Sequence, residues 1–301
     1  MDTKFTPVNH NETDAYYALW QVTPRRSLDY TLANLWGWQE YYGLEWQFAG
    51  PLCWIRQTRP RLCCWAPIGD WNAVDWPARL PAVAGPAGRD FIRVPEELAH
   101  LWQKACPQLV ETGEERGQWE YLYKQEELAN LPGNRFHKKR NHYNSFVKAY
   151  GEPDYRGVTD SMVEDVLGVQ DDWCQWHECE GSPSLLAENE AINRVLTHWD
   201  TFRGLTGGSL YVDGRMIAFS VGEKLDAETL GVHFEKGLNG YKGVYQVMNC
   251  EFARHAGAGL RWINRAQDLD EEGLRQAKMT YLPAEFLRKY TVRLRPAETA
   301  R

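Results

Sequence analysis

Apolar and polar positions alternate along the first half of the chain in patterns that predict both helices and strands. Apolar residues follow Ser27 at helical spacing, which predicts a helix with Ser27 as its N-cap. Two apolar runs, 52–57 and 62–66, lie on either side of a turn with Pro60 and predict a β-hairpin. The other predicted elements of this half are a short helix at 74–84, a strand at 90–94, a helix at 96–105 and a strand at 119–123.

The second half repeats this order more clearly. Asp213-Gly214 separates two apolar runs, and this dipeptide is a strong hairpin signal. The predicted elements are helices at 161–178 and 188–203, hairpin strands at 208–212 and 215–223, a third strand at 229–235, a helix at 243–256, a strand at 261–264, a helix at 271–280 and a strand at 290–294.

Each half therefore predicts helices, an antiparallel hairpin or meander, and then helix–strand–helix–strand. An antiparallel meander followed by a βαβ crossover is typical of the GNAT (N-acetyltransferase) fold, and two copies fit 301 residues. Periodicity alone favours a generic α+β protein about equally. The predicted fold class is α+β (α/β), as tandem GNAT-like domains at 1–135 and 136–301, each a mixed, mostly antiparallel sheet flanked by helices.

Composition narrows the class of protein. Hydrophobic residues are 43% and aromatic residues 13% of the chain, which excludes disorder as its main feature. No window approaches the roughly eighteen consecutive apolar residues of a transmembrane helix, and Met1–Asp14 has no apolar signal region, so a cytoplasmic protein is expected. The net charge of −7 argues against wholesale coating of nucleic acid, while a local basic groove stays open.

The seven cysteines favour reduced thiols in a cytosol, because their number is odd and their spacing irregular. Cys174, His177 and Cys179 lie close together, which leaves a metal site as the alternative. A zinc site would need a second pair of ligands at matching spacing, and the sequence has none. We therefore expect no metal.

A basic segment lies in the middle of this acidic chain. No acidic residue occurs from Leu128 to Gly151, while this segment carries five cations. On a helix these cations would form a stripe beside aromatic side chains, which suits the phosphates of an RNA backbone or a nucleotide. The alternative is a solvated helix face that closes the domain junction. The five cations are Arg135, Lys138, Lys139, Arg140 and Lys148.

The third strand of the second meander carries two titratable residues on one face. His233 and Glu235 are two residues apart, so their side chains project from the same side of a strand. This pairing suits a general base with a partner that tunes its pKa. The alternative is the exposed polar face of a half-buried sheet.

Two further segments follow strands where ligands commonly bind. Lys242-Gly243 lies at a strand-to-helix turn, where backbone N–H groups could face an anion, although glycines there are also ordinary turn residues. Asn264, Arg265 and Asp268 come at the carboxyl end of the next strand. Lys278 lies on the following helix, and the alternative to a binding role for it is an ion pair alone.

Four segments together resemble the bacterial family related to the C-terminal domain of phosphatidylglycerol lysyltransferase. The resemblance spans roughly residues 27–289, and it implies the tandem GNAT-like fold. Typical members have Arg-Glu-Glu/Gln-Asp after the strand's asparagine, whereas this chain has Ala266 at the second of those positions. The matching stretches are 131–142, 207–210 with 217–223, 232–236, and 264–265 through 273–278.

The resemblance implies transfer of an acyl or aminoacyl group to an amine or hydroxyl. His233 or Glu235 would be the base, with Tyr245 or a water chain as the acid. The expected donor is a coenzyme A thioester or an aminoacyl-tRNA, with no tightly bound cofactor, and the acceptor is a small molecule, lipid headgroup or peptide. The alternative is a non-catalytic tandem module that binds RNA or a nucleotide. The expected binding residues are Lys138, Lys139, Arg140, Lys236, Lys242, Gly243, Asn249, Asn264, Arg265, Asp268 and Lys278.

Overall fold

The computed structural model describes residues 4–10, 12–85 and 88–296, which form two compact units. The N-terminal unit contains the described residues up to Glu120, together with Gln267–Glu271 and those from Leu287 onward. The C-terminal unit contains Tyr121–Ala266 and Glu272–Phe286. The units therefore divide after Glu120, whereas the sequence analysis placed the boundary after residue 135.

The described residues contain fifteen strands, β1 to β15. In chain order they are Thr6–Pro7, Leu44–Ala49, Leu52–Gln57, Cys63–Trp65, Ile68–Gly69, Arg89–Pro95, Val110–Glu114, Glu120–Lys124, Asp154–Gly157, Leu205–Val212, Arg215–Lys224, Thr229–Gly237, Trp262–Asn264, Glu285–Leu287 and Lys289–Leu294.

Eleven α-helices, α1 to α11, complete the regular structure of the described residues, together with short 3₁₀ turns. The helices are Thr13–Val22, Leu32–Gly37, Gln39–Tyr42, Trp76–Ala84, Glu96–Ala105, Gln125–Asn130, His137–Tyr150, Val163–Trp176, Pro183–Leu196, Val244–His255 and Glu272–Met279. The mixed α+β class expected from the sequence is therefore confirmed.

The N-terminal unit is built on one mixed sheet in the order β1-β2-β3-β4-β6-β15-β7, with β5 also paired to β3. The β4–β6 pair is parallel, and the neighbouring pairs from β1 to β4 and from β6 to β7 are antiparallel. Large buried aromatic side chains fill the core of this unit, among them Trp46, Trp65, Trp71 and Trp102. This accounts for part of the high tryptophan content of the chain.

The C-terminal unit has a second mixed sheet in the order β14-β8-β13-β12-β11-β10-β9. The β12–β13 pair is parallel, as a βαβ crossover through α10 requires, and β9 to β12 form an antiparallel meander. Helix α10 packs its apolar face on this sheet through Val247, Met248 and Phe252.

The two sheets have matching strand orders, and each takes one interior strand from the other half of the sequence. Strand β15, near the C-terminus, lies between β6 and β7 of the N-terminal unit. Strand β8, from the first half, pairs with β13 of the C-terminal unit. The sequence pattern predicts both strands but places each in the sheet of its own half.

Two helix starts differ from the predicted ones by more than two residues. The helix expected at 188–203 is α9, which begins at Pro183 because Ser182 accepts a hydrogen bond from the backbone N–H of Leu185. Ser27 does not cap a helix; its hydroxyl donates to Glu120 at 2.6 Å. Thr31 caps α2 instead, by accepting from the N–H of Asn34.

A buried ion-pair cluster ties β15 into the N-terminal unit. The ammonium group of Lys289, fully buried, contacts the carboxylates of Asp29 and Glu120, the latter at 2.6 Å. Arg93 donates to the same Asp29 carboxylate at 2.8 Å. Burial is the largest single influence on the pKa of Asp29 and raises it. The charges and hydrogen bonds of Lys289 and Arg93 together outweigh burial, so the pKa lies below its ordinary value.

We predict that Lys289→Met destabilises the protein by about 3–5 kcal/mol, because it leaves two buried carboxylates without their shared cation. Chemical denaturation followed by tryptophan fluorescence measures this loss. Arg295→Met is the control, since Arg295 pairs with Glu111 at the surface and such pairs contribute about 0–1 kcal/mol. Equal losses for the two variants would contradict the assignment.

We also predict that Gly243→Ala is more destabilising than Gly240→Ala. Both glycines have positive φ values, 86° and 94°, so both substitutions strain the backbone. At Gly243 an added Cβ would lie 2.5 Å from the carbonyl oxygen of His142, whereas at Gly240 it meets nothing within 4 Å. The expected extra cost is roughly 1–3 kcal/mol. Thermal unfolding of the two variants side by side measures it, and indistinguishable midpoints would refute the close contact.

Candidate functional site

Strands β12 and β13 separate part of the way along the C-terminal sheet. Their parallel pairing covers Thr229, Leu230 and Gly231 and stops at the Gly231–Asn264 pair. Strand β12 continues to Gly237, and over this stretch β11 is its paired neighbour. Beyond Gly231, the edge of β12 that faces β13 therefore lies outside the strand pairing, and we call this region the gap.

His233 and Glu235 do not share a face of β12, although their spacing predicts that they do. The pairing of β11 with β12 shifts at His233, which has no opposite residue on β11 and so interrupts the alternation of side chains. Glu235 contacts Ser220 and His233 contacts Glu223, and these two β11 residues are three apart and therefore lie on opposite faces. The Nε2 atom of His233 lies 3.1 Å from a carboxylate oxygen of Glu223 on the neighbouring strand. Both side chains are only 2% exposed. His233 thus forms a buried pair with Glu223, a partner that the sequence analysis did not assign.

Glu235 lies in the gap and links its two sides. Its carboxylate accepts from Arg265, which follows β13 directly, at 3.0 Å, and from the hydroxyl of Ser220 on β11 at 3.4 Å. Glu235 and Arg265 are 11% and 15% exposed. Lys278 does not pair with Glu235; its ammonium group donates to the backbone carbonyl of Arg265 and so fixes the residue after β13.

Lys139 and Tyr281 lie beside this ion pair. The ammonium nitrogen of Lys139 is 3.9 Å from the centre of the Tyr281 ring, and the Arg265 guanidinium carbon is 5.0 Å from the same ring. Burial, with a smaller effect of the Arg265 charge, lowers the pKa of Lys139 to about 8. Burial also raises the pKa of Tyr281 to about 12, and Tyr281 hydrogen-bonds the side chain of Gln246. Tyr281 and Gln246 were not among the predicted residues.

Tyr245 lies in the first turn of α10, where its hydroxyl receives two hydrogen bonds. The indole N–H of Trp173 donates to it at 2.9 Å, and the backbone N–H of Gly237 donates as well. Burial raises the pKa of Tyr245, so the phenol stays protonated near neutrality. Because both donors use its lone pairs, its own hydrogen remains available to an external acceptor.

A cavity of about 350 Å³ opens next to Tyr245. Its wall is the loop from Gly237 to Gln246, which contains Lys242 and Gly243, and its other side is formed by Trp176 and His177. The cavity thus lies at the N-terminus of α10, where the helix dipole favours an anion.

Cys174 and Cys179 form a disulfide, so the expectation of reduced thiols is wrong for this pair. The chain turns back after α8, and the 3₁₀ turn Cys179–Gly181 brings the two Cα atoms to 5.1 Å. His177 stacks on Trp173 rather than joining the cysteines in a metal site. No group of three or more metal-binding side chains occurs in the described part of the chain.

Other predicted residues are engaged away from the gap. Lys236 projects from the face of β12 opposite to that of Glu235, and its ammonium group donates to Glu188 at 2.7 Å. Arg140 donates to backbone carbonyls of its own preceding loop. Asp268 belongs to the N-terminal unit and pairs with Arg116 at 3.1 Å.

The last three predicted residues differ in exposure. Asn264 is buried and accepts from the N–H of Ala266, which shapes the turn after β13. Asn249 is buried on α10 with its side-chain oxygen unpaired. Lys138 is exposed on α7. The structure therefore brings together Glu235, Arg265, Lys139 and Lys278 at the gap, and Lys242, Gly243 and Tyr245 at the cavity.

Solved structures share this architecture. A conserved protein of unknown function from Bacteroides thetaiotaomicron is 28% identical, with a TM-score of 0.88 over 97% of this chain and 100% of that one. The C-terminal domain of a protein described as a lysylphosphatidylglycerol synthetase of Agrobacterium fabrum is 13% identical, with a TM-score of 0.66 over 96% of this chain and 93% of that one. The tandem GNAT-like fold is thereby confirmed.

Sequence comparison gives the family. An uncharacterised protein of Mycoplasmoides gallisepticum is 25% identical over 175 residues, which are 58% of this chain and 56% of that protein, so the match spans little more than half of the relative. None of the helices in the described ranges has the length and apolar character needed to cross a bilayer. The family described as phosphatidylglycerol lysyltransferase, C-terminal, matches residues 20–293. The chain belongs to this family.

Proposed function

We propose that the protein transfers an acyl or aminoacyl group from a phosphate-bearing donor to an amine or hydroxyl. The observation that carries this proposal is the gap between β12 and β13, which lies beside an anion-favouring cavity in the same unit. A transferase of this kind needs a place for the donor's phosphates, a slot for its acyl group and a proton donor for the leaving group. The C-terminal unit has a candidate for each.

The cavity fits the donor's phosphates. It lies at the start of a twelve-residue helix, α10, so the positive end of the helix dipole is next to it. Lys242 supplies a mobile positive charge at its exposed rim. Its volume of about 350 Å³ is in the range of pockets that hold small ligands.

The gap fits the acyl group. Beyond Gly231 the open edge of β12 offers backbone N–H groups, which are suitable donors to the oxyanion that forms when a nucleophile attacks a carbonyl. Tyr245 follows the end of β12 and can give its proton to the leaving oxygen or sulfur. Its raised pKa keeps that proton in place until the leaving group takes it.

The family supports an aminoacyl group, since its description names a lysyltransferase. Both donors expected from the sequence, an aminoacyl-tRNA and a coenzyme A thioester, carry the phosphates that the cavity would bind. We propose aminoacyl-tRNA as the first donor to test and coenzyme A thioesters as the second.

A second candidate function is binding of RNA or a nucleotide without catalysis. The observation that favours it is the exposed basic face of α7, where His137, Lys138 and Lys148 point to solvent. An exposed face of this kind binds phosphates through long-range charge and does not require the gap.

We predict that Lys242→Met weakens donor binding and lowers the slope of log affinity against log salt by about one, as loss of one phosphate contact does. Isothermal titration with coenzyme A and with lysyl-tRNA, each over a series of salt concentrations, measures this. Lys148→Met removes an exposed charge from α7 and is the control. If only the Lys148 variant changes the slope, the basic helix is the binding surface and the non-catalytic function is favoured.

We predict that Tyr245→Phe lowers the transfer rate roughly 10²–10⁴-fold, the usual contribution of a general acid, with little change in donor affinity. The assay incubates lysyl-tRNA or acetyl-coenzyme A with ethanolamine, which offers an amine and a hydroxyl, and detects the product by mass spectrometry. Tyr241→Phe, also in the cavity wall, is the matched control. Equal rates for the two variants would remove Tyr245 from the mechanism.

A further inference from the structure

Acyl transfer needs a group that takes the proton of the attacking amine or hydroxyl. The two residues that the sequence suggests for this role are both occupied. His233 is buried with its Nε2 against Glu223, and the Glu235 carboxylate is bound by Arg265 and Ser220. Both oxygens of the Glu235 carboxylate therefore already accept hydrogen bonds from the protein.

Lys139 has no such partner among the described residues. Its ammonium group rests on the ring of Tyr281, and the field of Arg265 acts against its charge. The groups that act on Lys139 directly are Arg265 after β13 and Tyr281 after α11. The charged and titratable groups around these two neighbours are Glu235 on β12, Lys278 on α11 and Cys250 on α10. On its own helix, Lys138 is exposed and Arg140 is held by carbonyl groups.

The position of Lys139 connects it to both parts of the site. Tyr281, which it contacts, hydrogen-bonds Gln246 in the cavity wall. Arg265, stacked on the same ring, reaches across the gap to Glu235. We propose that Lys139 is the general base that accepts the proton of the attacking group. This inference rests on the proposed transfer function.

The proposed step balances without any further reactant. The acceptor's nitrogen or oxygen forms a bond to the acyl carbon while its proton moves to the neutral amine of Lys139. The bond from the acyl carbon to the donor's oxygen or sulfur breaks, and the leaving group takes the proton of Tyr245. The new ammonium of Lys139 then returns a proton through solvent to the tyrosinate. With a pKa of about 8, the amine is available for this cycle near neutrality.

The first experiment titrates Lys139 in the intact protein without any donor. Competitive labelling with trace acetic anhydride over a pH series, read by mass spectrometry, gives the midpoint at which each lysine becomes reactive. Lys139 should become reactive near pH 8, and Lys138, exposed on the same helix, is the internal reference. Glu235→Gln should lower the Lys139 midpoint further, because the charge of Arg265 is then uncompensated. A midpoint equal to that of Lys138 would overturn the proposal.

The second experiment measures transfer from lysyl-tRNA or acetyl-coenzyme A to ethanolamine. Lys139→Ala should lose roughly 10²–10⁴-fold in rate with unchanged donor affinity. The wild-type rate should rise with pH as the Lys139 ammonium loses its proton near pH 8, and this rise should be absent from Lys139→Ala. A tertiary amine, which cannot itself be acylated, should restore part of the rate to Lys139→Ala. Lys139→Arg, which keeps the charge and cannot lose its proton near neutrality, should stay as slow as the alanine variant.

The outcomes separate this inference from the proposed function. Full activity in Lys139→Ala would overturn the assignment of Lys139. A large loss of rate in Glu235→Gln with a small loss in Lys139→Ala would also overturn it, and would make Glu235 the base. Absence of transfer by the wild-type protein from either donor would overturn the proposed function, and the base with it. Transfer at a normal rate by Lys139→Arg would likewise refute the proton transfer.

Discussion

The site depends on how each unit fills the gap where its two parallel strands separate. In the N-terminal unit the parallel pairs of β4 and β6 end at Trp65–Ile92. There the hydroxyl of Tyr30 accepts from the N–H of Ala66 and donates to the carbonyl of Arg93, so one side chain occupies the space between the strands. In the C-terminal unit the Glu235–Arg265 pair spans the corresponding gap with the ends of two side chains. A backbone edge satisfied by a buried tyrosine cannot also bind an acyl group. The same sheet order therefore gives one unit a gap that a tyrosine closes and the other a gap that an ion pair bridges.

Buried charge is arranged differently in the two units, and the difference has a functional meaning. In the N-terminal unit Lys289 lies against two carboxylates, Asp29 and Glu120, and Arg93 shares the first of these. Such a cluster is electrically compensated and holds strands together. At the gap of the C-terminal unit, Arg265 pairs with the carboxylate of Glu235, and its charge also acts on Lys139. An uncompensated, partly desolvated cation shifts its pKa toward neutrality, and titratable groups of that kind mark catalytic sites more often than structural ones.

Local patterns in the sequence predicted the elements that position the site. The alternation along β10 to β12 and the helical spacing of α10 placed His233, Glu235, Lys242 and Tyr245 at a strand end and helix start, and the fold class followed from their order. The contacts between distant segments did not follow, since Lys139 and Tyr281 are more than a hundred residues apart and periodicity carries no information on such pairs. The exchange of β8 and β15 does not follow from the sequence for the same reason. The pattern of a five- or six-residue strand indicates that the strand is buried, but it does not indicate which strand lies next to it in the sheet.

The Glu235–Arg265 pair gains a clearer role when it is considered together with Lys139. If Glu235 were unpaired, its carboxylate would stabilise the ammonium form of Lys139 and remove the amine as a proton acceptor near neutrality. Pairing with Arg265 cancels that attraction and leaves a guanidinium whose field opposes the charge on Lys139. Lys278, bonded to the carbonyl of Arg265, keeps the guanidinium at its place after β13. The carboxylate that the sequence suggests as the base thus acts through the cation it binds, and the residue that changes protonation, Lys139, lies on helix α7.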